Sequence, residues 1–405
     1  MRRSARSVSG GTRVGTLVAV AATALALGAC GGSDSDSAAS SGGGTLTIPF
    51  LGAFSGASKQ VGTSMEHGAN QAIKEINADG GLLGKKLKTT YRDDAGVPAQ
   101  SVTQARSIIT KLRPPVVFGA SMTGNSDAIA PLLSQAKIIN FPGSSNSKGI
   151  DAEKFPYAFR GYITEVSYDT SLVTYMKAHN LKTATLVMPS VSTLPLVEDL
   201  TPRLQAAGLS LKSVAKYTVG NADFTPLALQ VKKANADVVT FAAVAVGDAA
   251  NYVKAAKSVG VRGQFIGQPG VSSSTFASLA GSAGGDALGQ VLKNLAYTKE
   301  GGPNNKAMVK FLQDIKSAGG DGDLFLVDAY WYDMVKLWAT AVKKANSTDP
   351  DKVKAALETI QDYQGLQGPM SFSATQHDGL SPNSIAYASI GKAPNADGLW
   401  LQGED

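Results

Sequence analysis

Val116-Val117-Phe118-Gly119-Ala120-Ser121-Met122-Thr123-Gly124-Asn125-Ser126 runs from three apolar residues into glycine and a cluster of hydroxyls. An apolar run this short, with no polar alternation, fits a strand of a parallel sheet covered on both faces. Lys137-Ile138-Ile139-Asn140-Phe141 runs into Pro142-Gly143-Ser144-Ser145-Asn146-Ser147 in the same way. Upstream, residues 46–51 read as a strand, and Met65, Ala69, Ala72, Ile73 and Ile76 share one face of a helix that Gly80-Gly81 closes. A strand over 87–91 follows, then a helix after Pro98 with Val102, Ala105, Ile108, Ile109 and Leu112 on one side. This alternation of strand and helix predicts α/β lobes built on parallel sheets.

The pattern restarts near Ile163, with strands predicted over 184–188, 211–217, 238–243 and 264–267 and helices over 166–179 and 249–259. From Asn305 it is mainly helical. Tyr330, Trp331, Met334, Leu337, Trp338 and Ala341 read as a core face, with a separate case for ligand contact only at Tyr330. A length of 405 residues exceeds one ordinary core and suits two lobes. With 43% apolar and 17% charged residues, the bulk is globular.

The first residues differ from the rest. Arg2, Arg3, Arg6 and Arg13 precede a small and apolar run over 14–29, too short for a comfortable membrane span, so 1–29 reads as a signal peptide. Leu27-Gly28-Ala29-Cys30 resembles a lipobox, which makes the single cysteine, Cys30, the lipidation point. Residues 30–44, rich in Ser, Gly and Asp, read as a flexible tether. Removing the leader takes four positive charges from +6 and leaves +2, so the basic balance belongs mostly to targeting and implies no nucleic acid.

Catalytic constellations are missing from the sequence. His67, His179 and His377 lack metal-ligand spacing, and there is no Gly-x-Ser-x-Gly elbow. Gly80-Gly81-Leu82-Leu83-Gly84-Lys85 follows a helix and reads as a helix stop, and Asp93-Asp94 reads as a solvated turn before Pro98. No metal, cofactor or enzymatic activity is expected. The two hydroxyl loops remain. Short hydroxyls and glycine-exposed N–H groups at a helix N-terminus suit a carboxylate, and open α/β sheets bind ligands at these strand ends.

Gly52-Ala53-Phe54-Ser55-Gly56, the stretch from Gly68 through Ile76-Asn77-Ala78-Asp79-Gly80-Gly81 to Leu87, Asp93-Asp94, Pro98 and the two loops resemble the leucine/isoleucine/valine-binding protein family, the type I periplasmic binding proteins of ABC importers. Phe265-Ile266-Gly267 and Ala280-Gly281 match later landmarks. The resemblance implies two doubly wound parallel-sheet lobes joined by three crossovers, with a ligand cleft between them. The crossovers fall near residues 161–163, 294–296 and 380–383. Lobe 1 then comprises 45–162 plus 296–381, and lobe 2 comprises 163–295 plus 382–405.

By the same resemblance the ligand's carboxylate is clamped by Thr123, Gly143 and Ser145, with Ser121 and Ser144 beside them. Positions that touch the ligand in the family fall on Val61, Thr193, Val244 and Tyr330, and Phe54 lies in the matching first stretch. The acidic partner of an α-ammonium falls on Pro269, which cannot accept a salt bridge, and Glu165 is the candidate replacement. The simplest expectation is a carboxylate with an apolar body and no α-ammonium, against Val61, Val191, Val244 and Phe241. The implied setting is a monomer, lipid-anchored outside the cytoplasmic membrane, delivering its ligand to an ABC permease. A ligand-binding sensor of the same fold is the alternative.

Overall fold

The computed structural model describes residues 43–403, apart from residues 57, 145–146, 191–195, 243–245, 269–270, 304 and 321–324. The leader, Cys30, most of the tether, Ser145, Val191, Thr193, Val244 and Pro269 therefore lie outside the described residues.

The first sheet holds β1 (Thr45–Gly52), β2 (Lys86–Asp93), β3 (Val116–Gly119) and β4 (Ile139–Phe141) in the order β2-β1-β3-β4, all parallel. It is interleaved with α1 (Lys59–Ala78), α2 (Pro98–Ser107), which a π-helical turn over Ile108–Leu112 extends, and α3 (Thr123–Gln135). The second unit runs α4 (Glu165–Ala178), β5 (Thr183–Pro189), α5 (Leu196–Ala206), β6 (Ser210–Tyr217), α6 (Thr225–Ala234), β7 (Val238–Phe241), α7 (Val246–Ser258), β8 (Gln264–Gly267), α8 (Ser274–Ala280) and β9 (Leu288–Leu292). Short strands β10 (Ala296–Thr298) and β11 (Gly301–Pro303) lead to α9 (Lys306–Ser317), α10 (Phe325–Ala345) and α11 (Pro350–Leu357). Then come β12 (Tyr363–Gln364), β13 (Pro369–Met370), β14 (Ile385–Ser389) and β15 (Trp400–Leu401).

The second sheet is ordered β14-β9-β8-β7-β5-β6. Its edge strand β14 runs antiparallel to β9, which corrects the expectation of a purely parallel sheet. A strand arriving late from the other sheet's neighbourhood, with no crossover helix before it, is free to pair in the opposite sense. The chain thus visits the first sheet, then the second, returns to place α10 against α1, and comes back at β14.

Apolar runs fix the core as read from sequence. Phe50, Phe118 and Phe141, from three adjacent strands, stack with centroids 4.9 and 5.3 Å apart. Trp338 of α10 meets Phe118 edge-on at 6.2 Å. Trp331, Met334 and Trp338 are fully buried, so the aromatic face of α10 is core. Each such side chain contributes roughly 2–3 kcal/mol.

Asp333, on the same helix, is buried and accepts the N–H groups of Leu366 (2.7 Å) and Gln367 (2.9 Å). The Gln367 amide then donates to the Gly161 carbonyl at 2.9 Å, and Asn294 donates to the Leu366 carbonyl at 2.9 Å. One carboxylate therefore ties α10 to two passages between the sheets. Burial pushes Asp333 up to about 7, against the two N–H donors that hold it down. Because its folded value lies above that of an unfolded aspartate, its contribution to stability is full at low pH and declines as pH rises through 7. Asp333→Ala strands two buried N–H groups and should cost roughly 2–4 kcal/mol. Thermal melts should show the gap to wild type widest near pH 5 and narrower at pH 8.

Candidate functional site

The two hydroxyl loops meet where the sequence places them, at the C-terminal ends of β3 and β4. β3 ends on Gly119 at φ +126, and a Cβ there would lie 2.1 Å from the Leu51 carbonyl oxygen, so only glycine lets β3 end this close to β1. Ser121 Oγ then accepts the Ala53 N–H at 3.1 Å, which fixes the first loop to the end of β1. α3 starts at Thr123, and its N-cap, Met122, supplies no capping side chain. The first-turn N–H groups thus keep the positive end of the helix dipole facing the loops. Thr123 Oγ1 lies within hydrogen-bonding distance of Ser144 Oγ, so the structure brings both loops into contact through hydroxyls.

The second loop is held from beneath. The Gly143 N–H donates to the Ala120 carbonyl at 2.9 Å, and the Trp331 indole packs where a Gly143 side chain would be, with a ring carbon 2.2 Å from the ideal Cβ position. Tyr330 is fully buried and donates its hydroxyl to the Pro142 carbonyl. Its ring packs edge-on against Tyr162, centroids 4.7 Å apart. Tyr330 thereby supports the second loop, the role that its position gives it in this conformation. Arg160, also buried, donates to the carbonyls of Ser144 (3.0 Å) and Ser147 (3.4 Å) and pairs bidentately with Asp378 at 3.1 and 2.7 Å.

Glu165 is the buried first residue of α4, whose cap Thr164 accepts the Ser167 N–H at 3.2 Å. Burial first, and the Glu165 charge second, push the Tyr162 hydroxyl well above its usual range. Glu165 therefore lies close to the ring that braces Tyr330. One turn further, burial and then Glu165 push Asp169 up to about 8. Phe54 is half-buried against Tyr91, centroids 5.2 Å apart, with its N–H on Asp93 at 2.9 Å, and Val61 is half-buried in the first turn of α1.

Two readings change. Phe241, expected to line an apolar pocket, is fully buried among Tyr252, Phe265 and Phe276 in the core of the second sheet. Asp94, read as part of a solvated turn, is fully buried. It accepts the Gly96 N–H at 2.9 Å and the Ser101 hydroxyl at 2.7 Å, and Ser101 in turn accepts from Asn125 of α3 at 2.8 Å. Asp94 thus positions the helix that carries Thr123. Asp93 fits the turn: burial pushes it up slightly, but the Ser55 hydroxyl and the N–H groups of Ala95 and Phe54 hold it below the usual carboxylate range. Arg160, Asp378 and Trp331 carry no sequence signal that ties them to the site; Trp331 reads only as part of the core face. Among the described residues, no group of three or more His, Cys, Asp or Glu is placed to hold a metal ion.

A family model described as periplasmic binding protein matches residues 45–392. A Leu/Ile/Val-binding protein homolog of Brucella suis is 25% identical over 329 residues, 80% of this chain and 85% of that one. Among solved structures, a branched-chain amino acid transporter substrate-binding protein of Streptococcus pneumoniae, in complex with isoleucine, superposes with a TM-score of 0.68 at 20% identity, covering 86% of this chain and 97% of that one. A solute-binding protein of Rhodopseudomonas palustris in complex with 4-hydroxybenzoate gives a TM-score of 0.68 at 21% identity over 89% and 96% of the two chains. Both show the likeness of the two-lobed fold.

Gly143→Ala tests the packing beneath the second loop. Its methyl would collide with the Trp331 ring, and we expect a loss of about 1–3 kcal/mol in a thermal melt together with quenched or shifted tryptophan fluorescence. An unchanged melt would remove Trp331 as the support.

Proposed function

The chain belongs to the periplasmic binding protein family, and from that membership we propose that it is the exported solute-binding component of an ABC importer, a carrier with no chemistry of its own. It takes a small ligand with a carboxylate and an apolar body by closing its lobes, placed at 45–162 plus 296–381 and at 163–295 plus 382–405. The observation that carries this reading is the meeting of Thr123 and Ser144 hydroxyls beside an uncapped helix start. Hydroxyls and helix N–H groups are donors with no competing charge, which suits a carboxylate. Gly143 and Ser121 complete the clamp, with Ser145 in the second loop, and Phe54, Val61, Thr193 and Val244 furnish the walls. Closure removes water and strengthens each polar contact.

The ligand's class depends on the acid. Pro269 offers no partner for an ammonium, whereas Glu165, close behind Tyr162, supplies a negative charge on the side of the second sheet. A branched-chain amino acid and a carboxylate lacking the amine are therefore both within reach, and the relatives bound to isoleucine and 4-hydroxybenzoate span that choice.

A thermal-shift panel separates them. A ligand at 100 times its Kd should stabilise the body by about 2.7 kcal/mol. Stabilisation by aliphatic or aromatic acids but not their α-amino counterparts supports the amine-free ligand; the reverse, abolished in Glu165→Gln, supports the amino acid. Thr123→Ala with Ser144→Ala should weaken binding by roughly 100-fold to 10,000-fold, since each lost hydrogen bond to a charged group is worth about 1.5–3 kcal/mol. Unchanged affinity would remove the clamp.

No helix among the described residues is long and apolar enough to cross a membrane. In this reading Cys30 is lipidated and holds the carrier at the outer face of the cytoplasmic membrane, next to its permease. Cys30→Ser should move the protein from the membrane pellet to the soluble fraction. Retention in the pellet after that change would argue against the anchor.

A further inference from the structure

The folded body begins at the N-terminal end of β1, and that end of the first sheet carries an unusual density of positive charge. In a parallel sheet all strands start at the same pole, and the helices that precede β2, β3 and β4 end there. Lys85 and Lys86 sit where α1 gives way to β2, and Lys111 and Arg113 where the α2 extension gives way to β3. α10 adds to the same pole. Gly68 of α1 lies against Asp328, and Glu75 accepts from Tyr332 (2.6 Å) and Lys336 (3.0 Å), so α1 and α10 run in the same direction. The end of α10, with Lys343 and Lys344, therefore falls beside the end of α1.

All six cations are exposed. Lys86 and Lys344 donate to the carbonyls of Asn77 and Thr359. Among the described residues, Lys85, Lys111, Arg113 and Lys343 have no carboxylate within ion-pair distance. Of the acids at this pole, Asp351 pairs with Lys137 at 3.1 Å and Asp349 caps α11 by accepting the Lys352 N–H at 3.1 Å, while Asp79, the exposed C-cap residue of α1, sets one negative charge against the six cations. Complementing helix C-termini explains Lys111, Lys343 and Lys344. The same holds for Arg113, the C-cap of the α2 extension, but not for Lys85, which lies outside the helices.

Fourteen residues separate Cys30 from Thr45. A chain of that length reaches at most about 50 Å fully extended, and it joins the folded body at the pole where β1 begins. We infer that this pole is a membrane-facing surface that rests on anionic phospholipid headgroups. Several lysines and arginines held at such a surface attract it additively, and salt screens the attraction within a Debye length. The orientation leaves the opposite pole of the first sheet, with the hydroxyl loops, turned away from the bilayer. The inference rests on Cys30 being the anchor, because the anchor decides which face meets the lipid.

The assay avoids the anchor. The Gly42–Asp405 body is a compact unit by itself and lacks Cys30. Co-sedimentation at low salt compares vesicles of phosphatidylglycerol and phosphatidylcholine in equal parts with vesicles of phosphatidylcholine alone. We expect about tenfold or greater preference for the anionic vesicles, lost at high salt. K85E/K111E/R113E/K343E should remove that preference, and K212E/K216E/K233E/K254E, on the second sheet's unit, should keep it. If the first set melts early, the corresponding Gln substitutions make the same comparison. No preference in wild type, or equal loss in both sets, overturns the inference. Failure of Cys30→Ser to release the full chain would instead sink the anchor while leaving the vesicle result standing.

Discussion

The buried guanidinium of Arg160 must be neutralised and hydrogen-bonded wherever it sits, because an unpaired charge away from water is costly. Here that requirement joins the second hydroxyl loop, through the Ser144 and Ser147 carbonyls, to Asp378 far along the chain. Backbone bonds repeat the link, from Arg160 N–H to the His377 carbonyl at 2.8 Å and from Gly379 N–H to the Arg160 carbonyl at 2.7 Å. The second hydroxyl loop and the segments that pass between the sheets are thus one hydrogen-bonded assembly. Asp333 performs the complementary task from α10, so movement of one sheet relative to the other is constrained at defined points, as a hinge requires.

The loops themselves are prepared by packing. Trp331 fills the space beneath Gly143, Tyr330 holds Pro142, and Asp94 holds α3 through Ser101 and Asn125. None of these groups needs to touch a ligand for the hydroxyls of Thr123 and Ser144 to be held in one place. Such preorganisation lowers the ordering cost of binding. The acids on α4, Glu165 and Asp169, are both buried. Glu165 and Asp169 lie one turn apart, and burial first, then the Glu165 charge, raises Asp169 to about 8.

Much of the fold was legible because apolar runs and helical faces are local signals. β1, β3, β5, β7 and β8 fall on runs of apolar residues, and the two hydroxyl loops announce themselves at strand ends. β9 escaped because Gly289 and Gln290 interrupt its apolar pattern, and the direction of β14 is set by a partner almost a hundred residues away. Asp94 looked solvated because its burial depends on α2 and α3 folding over it. The Arg160–Asp378 pair joins positions that no spacing rule connects. Of the candidate site, the two hydroxyl loops at the strand ends were readable from residue type, whereas the supports beneath them depend on contacts made only after the sheets assemble.

Solution X-ray scattering of the Gly42–Asp405 body, with and without the small carboxylate that most raises its melting temperature, addresses closure most directly. A smaller radius of gyration is expected at saturating ligand, with no contraction in the Thr123→Ala, Ser144→Ala double variant. An unchanged radius in the wild-type body, at ligand concentrations that stabilise it, would contradict a trap that works by closing its lobes.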